Sequence, residues 1–220
     1  MLPLDQTLVS SLIYFMDIEA LFKNLERYTM ISSALKAYLR IAFKEITLED
    51  NERLDPFMRI TNPLVFVRRG ILKTKLESKL DPGRKLFSFH FEGMLLPFLV
   101  EKNTEDFSLD TYSINETTLL LLSEGHTRNL YKVFPEFEQL ITAINGEMAS
   151  ELLHQVFDLH HLKGEERLEK LLQKHPDLFT IATVTDIAAS IGMHANTLSA
   201  LKNRQKSKKT QSPPKNLTTI

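Results

Sequence analysis

The stretch TVTDIAASIGMHANTLSALKNR, residues 183–204, predicts two short helices joined by a tight turn. Thr183 suits the cap of the first helix, and Asp186 then falls at the third helical position, where an acidic side chain is favourable. Gly192 suits the left-handed backbone that ends many helices. The sequence therefore predicts a short helix that stops sharply at a glycine.

The spacing within this stretch predicts how the two helices pack. Ala188 is small enough for a second helix to cross closely, and Leu198 follows at the offset that fills the core between the helices. A second helix begins near Ala195. This arrangement is typical of a helix-turn-helix, whose second helix enters the major groove of DNA. A plain helical hairpin from another kind of domain is the alternative.

The exposed side of the second predicted helix carries groups that suit DNA. Asn196 can pair with adenine through two hydrogen bonds, and hydroxyl side chains can bond to a base or a phosphate. Basic side chains at the end of the helix suit phosphate contacts, which add affinity without sequence information. The predicted DNA-contacting residues are His194, Asn196, Thr197, Ser199, Lys202 and Arg204.

The formal net charge of −1 conceals two segments of opposite charge. The last acidic residue is Asp186, and residues 202–220 hold six basic residues and no acidic one. Residues 1–201 carry 21 Lys and Arg against 28 Asp and Glu, a net charge of −7. Such asymmetry indicates a nucleic acid or another anionic surface as partner, although a solubilising tail is the alternative. We predict a basic flexible tail over 207–220.

Two different patterns precede this segment. Residues 1–42 lack glycine and show apolar residues at helical spacing, including Leu21, Leu25, Leu35 and Leu39. From residue 43 to about 122, short alternating or apolar runs are separated by turn sequences. About five to eight short strands at such spacing predict an antiparallel roll or barrel.

A long amphipathic helix is predicted over residues 135–161. Its apolar side chains recur every three or four residues through about six turns, longer than the usual helix of roughly three turns. Such a helix can lie on its own barrel or pair with a second copy through a coiled-coil seam. The candidate dimer residues are Ile141, Ile144, Met148, Leu152 and Val156.

Several classes of protein are excluded or disfavoured. The absence of cysteine removes disulfides, cysteine-ligated zinc and iron–sulfur clusters. No apolar run approaches the roughly 18 residues of a membrane span. His154, His160 and His161 cluster near one helix end, where solvated histidines are the expected interpretation rather than metal ligands. No nucleophile elbow, phosphate loop or zinc-protease motif occurs. We expect a cytoplasmic protein that is not an enzyme and binds neither metal, cofactor nor membrane.

The order of roll, long helix and helix-turn-helix resembles the Crp/Fnr family of bacterial transcription regulators, and most closely its Bacteroidetes-type branch. The likeness covers the chain from about residue 33 to 204 and is strongest in the last third. The matching residues are Val65–Gly70 in the roll, Glu165–Leu168, Leu171, Leu172, His175, Pro176 and Leu178 before the helix-turn-helix, and Ile187, Ala188, Ile191, Gly192 and Thr197–Ser199 within it.

The resemblance implies an α+β chain with a defined order of parts. It implies a homodimer that binds double-stranded DNA, responds to a small-molecule effector of unknown identity and contacts RNA polymerase. The roll would be a double-stranded β-helix of the cyclic-nucleotide-binding type. The implied parts are an N-terminal helical segment (1–32), the sensor roll (33–134), the dimerisation helix (135–161), the DNA-binding domain (162–206) and the tail.

Departures from the family limit the implied ligand. Family members that bind cyclic nucleotides use a Gly-Glu pair at a helix start and an arginine that pairs with the phosphate. Here the order is Glu92-Gly93, and Glu105-Asp106 stand where the arginine belongs, so cyclic AMP is not the expected effector. The resemblance places an effector near Glu92, Gly93, Met94, Leu95, Phe107 and Ser108.

One departure affects the predicted recognition helix itself. Ala200 replaces the arginine that follows the Thr-Leu-Ser triplet in the family. The expected function is a dimeric DNA-binding regulator. The alternative is a ligand-binding or protein-interaction module whose helix-turn-helix no longer reads DNA.

Overall fold

A computed structural model describes residues 18–81, 85–97 and 106–210, with side chains for all of these except 59, 60, 97 and 205–210. The chain divides between His154 and Gln155 into two compact units. The elements of the first unit are α1 (residues 18–25), α2 (Ser33–Ala42), β1 (Phe43–Leu48), α3 (Pro56–Thr61), β2 (Leu64–Ser78), β3 (Lys85–Phe91), β4 (Leu95–Pro97), β5 (Phe107–Leu122) and α4 (Glu124–Val133).

Helix α5 (Pro135–His161) begins in the first unit and ends in the second. It covers the same residues as the long helix that the apolar stripe predicts. The second unit continues with α6 (Gly164–Lys174), α7 (Leu178–Ile181), α8 (Val184–Ser190) and α9 (Ala195–Thr210).

The strands form one antiparallel sheet in the order β1-β5-β2-β3, with β4 also paired to β2. Strand β5 is continuous over 16 residues, although the sequence predicts only short strands in this part of the chain. Its register against β2 shifts between Val67 and Ile71, opposite Asn115, whose φ is +59°. Irregularities of this kind bend and twist a strand, so one long strand can serve both ends of a roll.

The four consecutive leucines of β5 separate the first unit into two cores. Leu120 and Leu122 face a helix-side core shared with α1, α2, α4 and α5, whereas Leu119 and Leu121 face a roll core inside the sheet. Successive side chains of a strand point to opposite faces, so this apolar run is buried on both sides. All four are at most 2% exposed, and each contributes roughly 1.5–3 kcal/mol by burial.

The first half of α5 packs within its own chain. Phe137, Leu140 and Ile144 are at most 1% exposed in the helix-side core, and Ile141 and Met148 pack against that core. The dimer assignment of Ile144 is therefore wrong, because its side chain is not accessible to a partner helix. Ile141 and Met148 are half-buried against the same core, and their assignment to the dimer stays a prediction.

Beyond Met148 the character of α5 changes. Its next apolar side chains are exposed by 45–72%, an unusual density of large exposed hydrophobic groups for a single helix. This exposed apolar face consists of Leu152, Leu153, Val156, Phe157 and Leu159.

The predicted ends of the chain differ in part from the structure. Residues 18–25 of the N-terminal helical segment are helical, and residues 1–17 lie outside the described part. Helix α9 continues through Thr210, so 207–210 are helical although we predict a flexible tail there. Residues 211–220 lie outside the described part. Within the described residues, no helix is long and apolar enough to cross a membrane.

Candidate nucleic-acid interface

Helix α8 and the turn after it form as the sequence predicts. The Thr183 hydroxyl accepts a hydrogen bond from the Asp186 amide at 3.1 Å and caps the helix. The turn closes when the Met193 amide donates to the Ala188 carbonyl at 2.8 Å. Gly192 has a φ of +63°, a backbone conformation that residues other than glycine rarely adopt. This backbone turns the chain directly from α8 into α9.

The two helices then meet through a small apolar core. Ile187, Ala188 and Leu198 are at most 1% exposed, and Ile191 is 6% exposed. Since Ala188 carries only a methyl group, the crossing is close, and the Leu198 side chain fills the space between the helices. The packing fixes which side of α9 remains exposed.

His194 begins α9 as its cap. Its Nδ1 atom accepts a hydrogen bond from the Asn196 amide at 3.3 Å, and its carbonyl accepts one from the Leu198 amide at 3.1 Å. The ring is exposed. The structure therefore gives this predicted DNA-contacting residue a local role in starting α9, where a cap satisfies free amide groups.

Four polar side chains form the exposed side of α9. Asn196 and Ser199 are one turn apart and on the same face, and Thr197 and Arg204 flank that face. All four are exposed, and the backbone that carries them is fixed by the buried Leu198. The structure thus brings together the side chains that the sequence assigns to base and phosphate contacts.

Lys202 has a partner that the sequence did not predict. Its Nζ atom lies 4.2 Å from the centre of the Phe179 ring, in the geometry of a cation–π contact, and the side chain is half-buried. Phe179 lies on the short helix α7. Only tertiary packing joins the two residues, because 23 positions separate them in the chain.

Arg167 on α6 holds the turn between α8 and α9. Its Nε atom donates to the Ile191 carbonyl at 2.7 Å and its Nη2 atom to the Gly192 carbonyl at 3.3 Å. Its Nη1 atom donates to the Leu162 carbonyl, just after the end of α5, at 2.6 Å. The sequence marks Arg167 only as part of the family resemblance. Its role depends on three backbone carbonyls, which no side-chain pattern reveals.

Comparison with solved structures finds chains that are similar over about three quarters or more of this chain. FixK2 from Bradyrhizobium japonicum is 14% identical, with a TM-score of 0.58 and coverage of 76% of this chain and 86% of that one. A Crp/Fnr-family protein from Eubacterium rectale is 12% identical, with a TM-score of 0.62 and coverage of 81% and 85%. The chain has the Crp/Fnr fold. Structural similarity at such low sequence identity establishes the fold and not the function.

A third similar structure is that of a regulator with a known effector. The global regulator CLP of Xanthomonas campestris, which responds to c-di-GMP, is 13% identical, with a TM-score of 0.58 and coverage of 81% of this chain and 93% of CLP. No protein-family model and no curated protein sequence matches this chain.

The predicted effector residues do not form one site in this Crp/Fnr fold. Phe91, just before Glu92, pairs with Ile71 on β2, whereas Phe107 pairs with Ser78. Ile71 and Ser78 are seven positions apart on β2, about 23 Å along the strand. The prediction that joins residues 92–95 to Phe107 and Ser108 in one pocket is therefore wrong.

Gly93, in the segment that corresponds to the family's phosphate-binding pattern, already has backbone partners. The Gly93 amide donates to the Val67 carbonyl at 2.8 Å, and the Asn24 side chain donates to the Gly93 carbonyl at 2.6 Å. Leu95 is 7% exposed within the helix-side core, and the chain enters strand β4 rather than a helix. Exposed Glu92 and half-buried Met94 flank this turn. The segment therefore lacks the free helix-terminal amides that bind a phosphate; Glu105 lies outside the described part.

A polar group of a different kind lies on β3. His90 is half-buried and shares a hydrogen bond of 3.0 Å with the Thr74 hydroxyl, which lies 3.2 Å from the Thr111 hydroxyl. Removal from water lowers the pKa of His90 from 6.5 to about 4, so the ring is neutral at pH 7.

No group of three metal-binding side chains occurs among the residues that the structure describes.

Proposed function

We propose that this chain is a cytoplasmic, dimeric transcription regulator that reads DNA with α9. The observation that carries the proposal is the exposed polar face of α9 on a buried helix-turn-helix core. Asn196 and Ser199 project from a helix that Leu198 anchors, so groups able to read base edges stand on a rigid support. Fold similarity agrees with this function.

The charge distribution supports a nucleic acid as the partner. Residues 202–220 carry six basic side chains and no acidic one, and the first of them lie on α9 itself. Exposed Arg204 is placed to neutralise a phosphate. Contacts of this kind release counterions from DNA, so the affinity must fall steeply as the salt concentration rises.

The exposed apolar face of α5 supports a dimer. Ala149, Leu152, Val156 and Leu159 follow the alternating three- and four-residue spacing of a coiled coil, with Val156 at an a position and leucines at the d positions. A β-branched residue at a with leucine at d favours a parallel pair of helices. All four residues are exposed, and we place the dimer seam here. Leu153 flanks the seam.

The regulator proposed here does not use cyclic AMP. The engaged Gly93 amide and the strand that follows it support this part of the proposal. An effector, where one exists, would lack the phosphate that the family's arginine binds. Activation would also require contact with RNA polymerase.

The second candidate is an interaction module with an inactive helix-turn-helix. One observation favours it, since Ala200 is exposed on α9 at the position where the family resemblance implies an arginine. Truncation after Leu201 separates the two functions. A regulator should lose DNA affinity, whereas an interaction module should keep its protein partner.

The test of the proposal is selection of bound sequences from random duplex DNA by the purified full-length chain. The regulator predicts an enriched motif with two-fold symmetry, and fluorescence anisotropy should show weaker binding to that duplex as salt rises. Recovery of no motif, together with binding that does not depend on salt, would contradict the proposal.

A further inference from the structure

The end of α5, the start of α6 and the turn before α9 meet at close range. A side-chain carbon at Gly164 would stand 2.2 Å from the Met193 Cε atom, and one at Gly192 would stand 2.7 Å from the Leu159 Cδ2 atom. All these residues belong to the second compact unit. The turn of the helix-turn-helix is therefore packed directly on the junction between α5 and α6.

Arg167 is the polar link within this junction. Its guanidinium donates to carbonyls at two helix ends, Leu162 after α5 and Ile191 at the end of α8. Carbonyls at a helix end lack partners within the helix and carry partial negative charge, so a cation stabilises them. One rigid planar group thus joins two helix ends, which a single-point cation such as lysine cannot do equally well.

The start of α6 orients this guanidinium. The Glu166 carboxylate accepts a hydrogen bond from the Lys163 amide at 2.6 Å, and the Arg167 amide donates to the Lys163 carbonyl at 3.0 Å. These bonds fix the first turn of α6, from which the side chain reaches the turn before α9.

We infer that Arg167 is a specificity-positioning residue that sets the orientation of α9 against the end of α5. The inference rests on the proposed DNA-binding function. Base contacts demand accurate placement of α9, whereas phosphate contacts through flexible basic side chains tolerate small displacements. Loss of Arg167 therefore weakens discrimination between sequences and leaves non-specific binding nearly intact.

A matched control exists on the same helix. Lys170 Nζ lies 2.5 Å from Asp158 Oδ2, so this ion pair also joins α6 to the end of α5, but no hydrogen bond or ion pair described for it reaches the turn. The Lys170 end of this pair is exposed, and ion pairs open to solvent contribute little to stability. Lys170→Ala tests whether any weakening of the α5–α6 contact has the same effect.

The experiment compares Arg167→Gln, Arg167→Lys and Lys170→Ala with the unaltered chain. Affinities are measured for the duplex that the unaltered chain selects and for a random duplex of equal length, and thermal melts check folding. We expect Arg167→Gln to lose about tenfold or more on the selected duplex and less than about twofold on the random one. Arg167→Lys should fall between, and Lys170→Ala should match the unaltered chain.

The outcomes separate this inference from the proposed function. If the unaltered chain does not distinguish the two duplexes, the proposed function fails. If it does, and Arg167→Gln keeps the same ratio of affinities or loses both equally, the positioning role is overturned. The amides of residues 191–193 should also exchange hydrogen faster in Arg167→Gln. Without the hydrogen bonds from Arg167, the turn remains folded but opens more often.

Discussion

Ile144 is 1% exposed and Leu152, two turns later on the same helix, is 59% exposed. Eight residues, about 12 Å of helix, separate a side chain inside the chain's own core from one that faces solvent. Helix α5 therefore has two successive apolar faces. The first packs in the chain's own helix-side core, and the second, where we propose the dimer seam, is exposed.

Substitutions on the second face should separate the protomers without unfolding them. We expect Leu152→Lys and Val156→Lys to halve the mass measured by light scattering, because a charge in a coiled-coil seam is costly to bury. His154→Lys is the matched control, since His154 lies on the opposite side of the seam and is exposed. A dimeric mass for both seam variants would show that the interface lies elsewhere.

Ile144→Lys should behave differently from the seam variants. A charge placed in the helix-side core lacks a partner, so this variant should lose folding stability by several kcal/mol. Circular dichroism during urea unfolding measures this loss. Normal stability with loss of the dimer would contradict the assignment of Ile144 to the core.

Asn196 and Arg204 should affect DNA binding in distinguishable ways. Asn196→Ala should cost about 1–3 kcal/mol on the selected duplex and relax the base preference at one position. Arg204→Ala should weaken binding to all duplexes and reduce the slope of log affinity against log salt by about 1. Competition binding at several salt concentrations distinguishes the two. Equal effects of both variants on selected and random DNA would contradict the assignment of Asn196 to base reading.

Two glycine substitutions should change stability with opposite signs. Gly192→Ala forces a side chain into a φ of +63° and should destabilise the C-terminal unit by about 1–2 kcal/mol. Gly146→Ala lies within α5, where an added carbon would meet nothing within 4 Å, and should stabilise by about 0.5–1 kcal/mol. Urea midpoints measure both. A neutral Gly192→Ala would mean that the turn relaxes.

His90 should make stability depend on pH. In the folded chain its pKa is lowered from 6.5 to about 4 by burial, so between these values the unfolded chain binds more protons. The stabilising contribution is present above pH 6.5 and is lost as the pH falls toward 4. From pH 7 to pH 5 the loss should be about 2 kcal/mol relative to His90→Asn. Parallel stability curves for the two proteins would contradict this.

The sequence predicted the parts that depend on local spacing. The cap at Thr183, the turn at Gly192 and the core position of Leu198 follow from short-range rules and are confirmed. The helix over 135–161 is also confirmed. It could be predicted because its apolar stripe is long. The stripe could not show that Ile144 is buried and Leu152 exposed, since both follow the same helical spacing.

The parts that depend on tertiary register could not be predicted. The prediction that residues 92–95 and Phe107 and Ser108 form one effector site is wrong, because the pairing of β2 with β3 and β5 decides which residues are neighbours. No local sequence pattern specifies that pairing. The sequence does not predict the contact of Lys202 with the Phe179 ring or the hydrogen bonds of Arg167 to the turn, for the same reason. Their partners are a distant ring and backbone carbonyls.

Selection from random duplex DNA, followed by anisotropy with the enriched sequence, tests the central claim most directly. We expect an inverted repeat with half-sites about one helical turn apart, bound more tightly than random DNA and more weakly at high salt. Asn196→Ala should abolish most of that preference. An unenriched pool, or a preference that survives Asn196→Ala unchanged, would contradict the claim that α9 reads DNA.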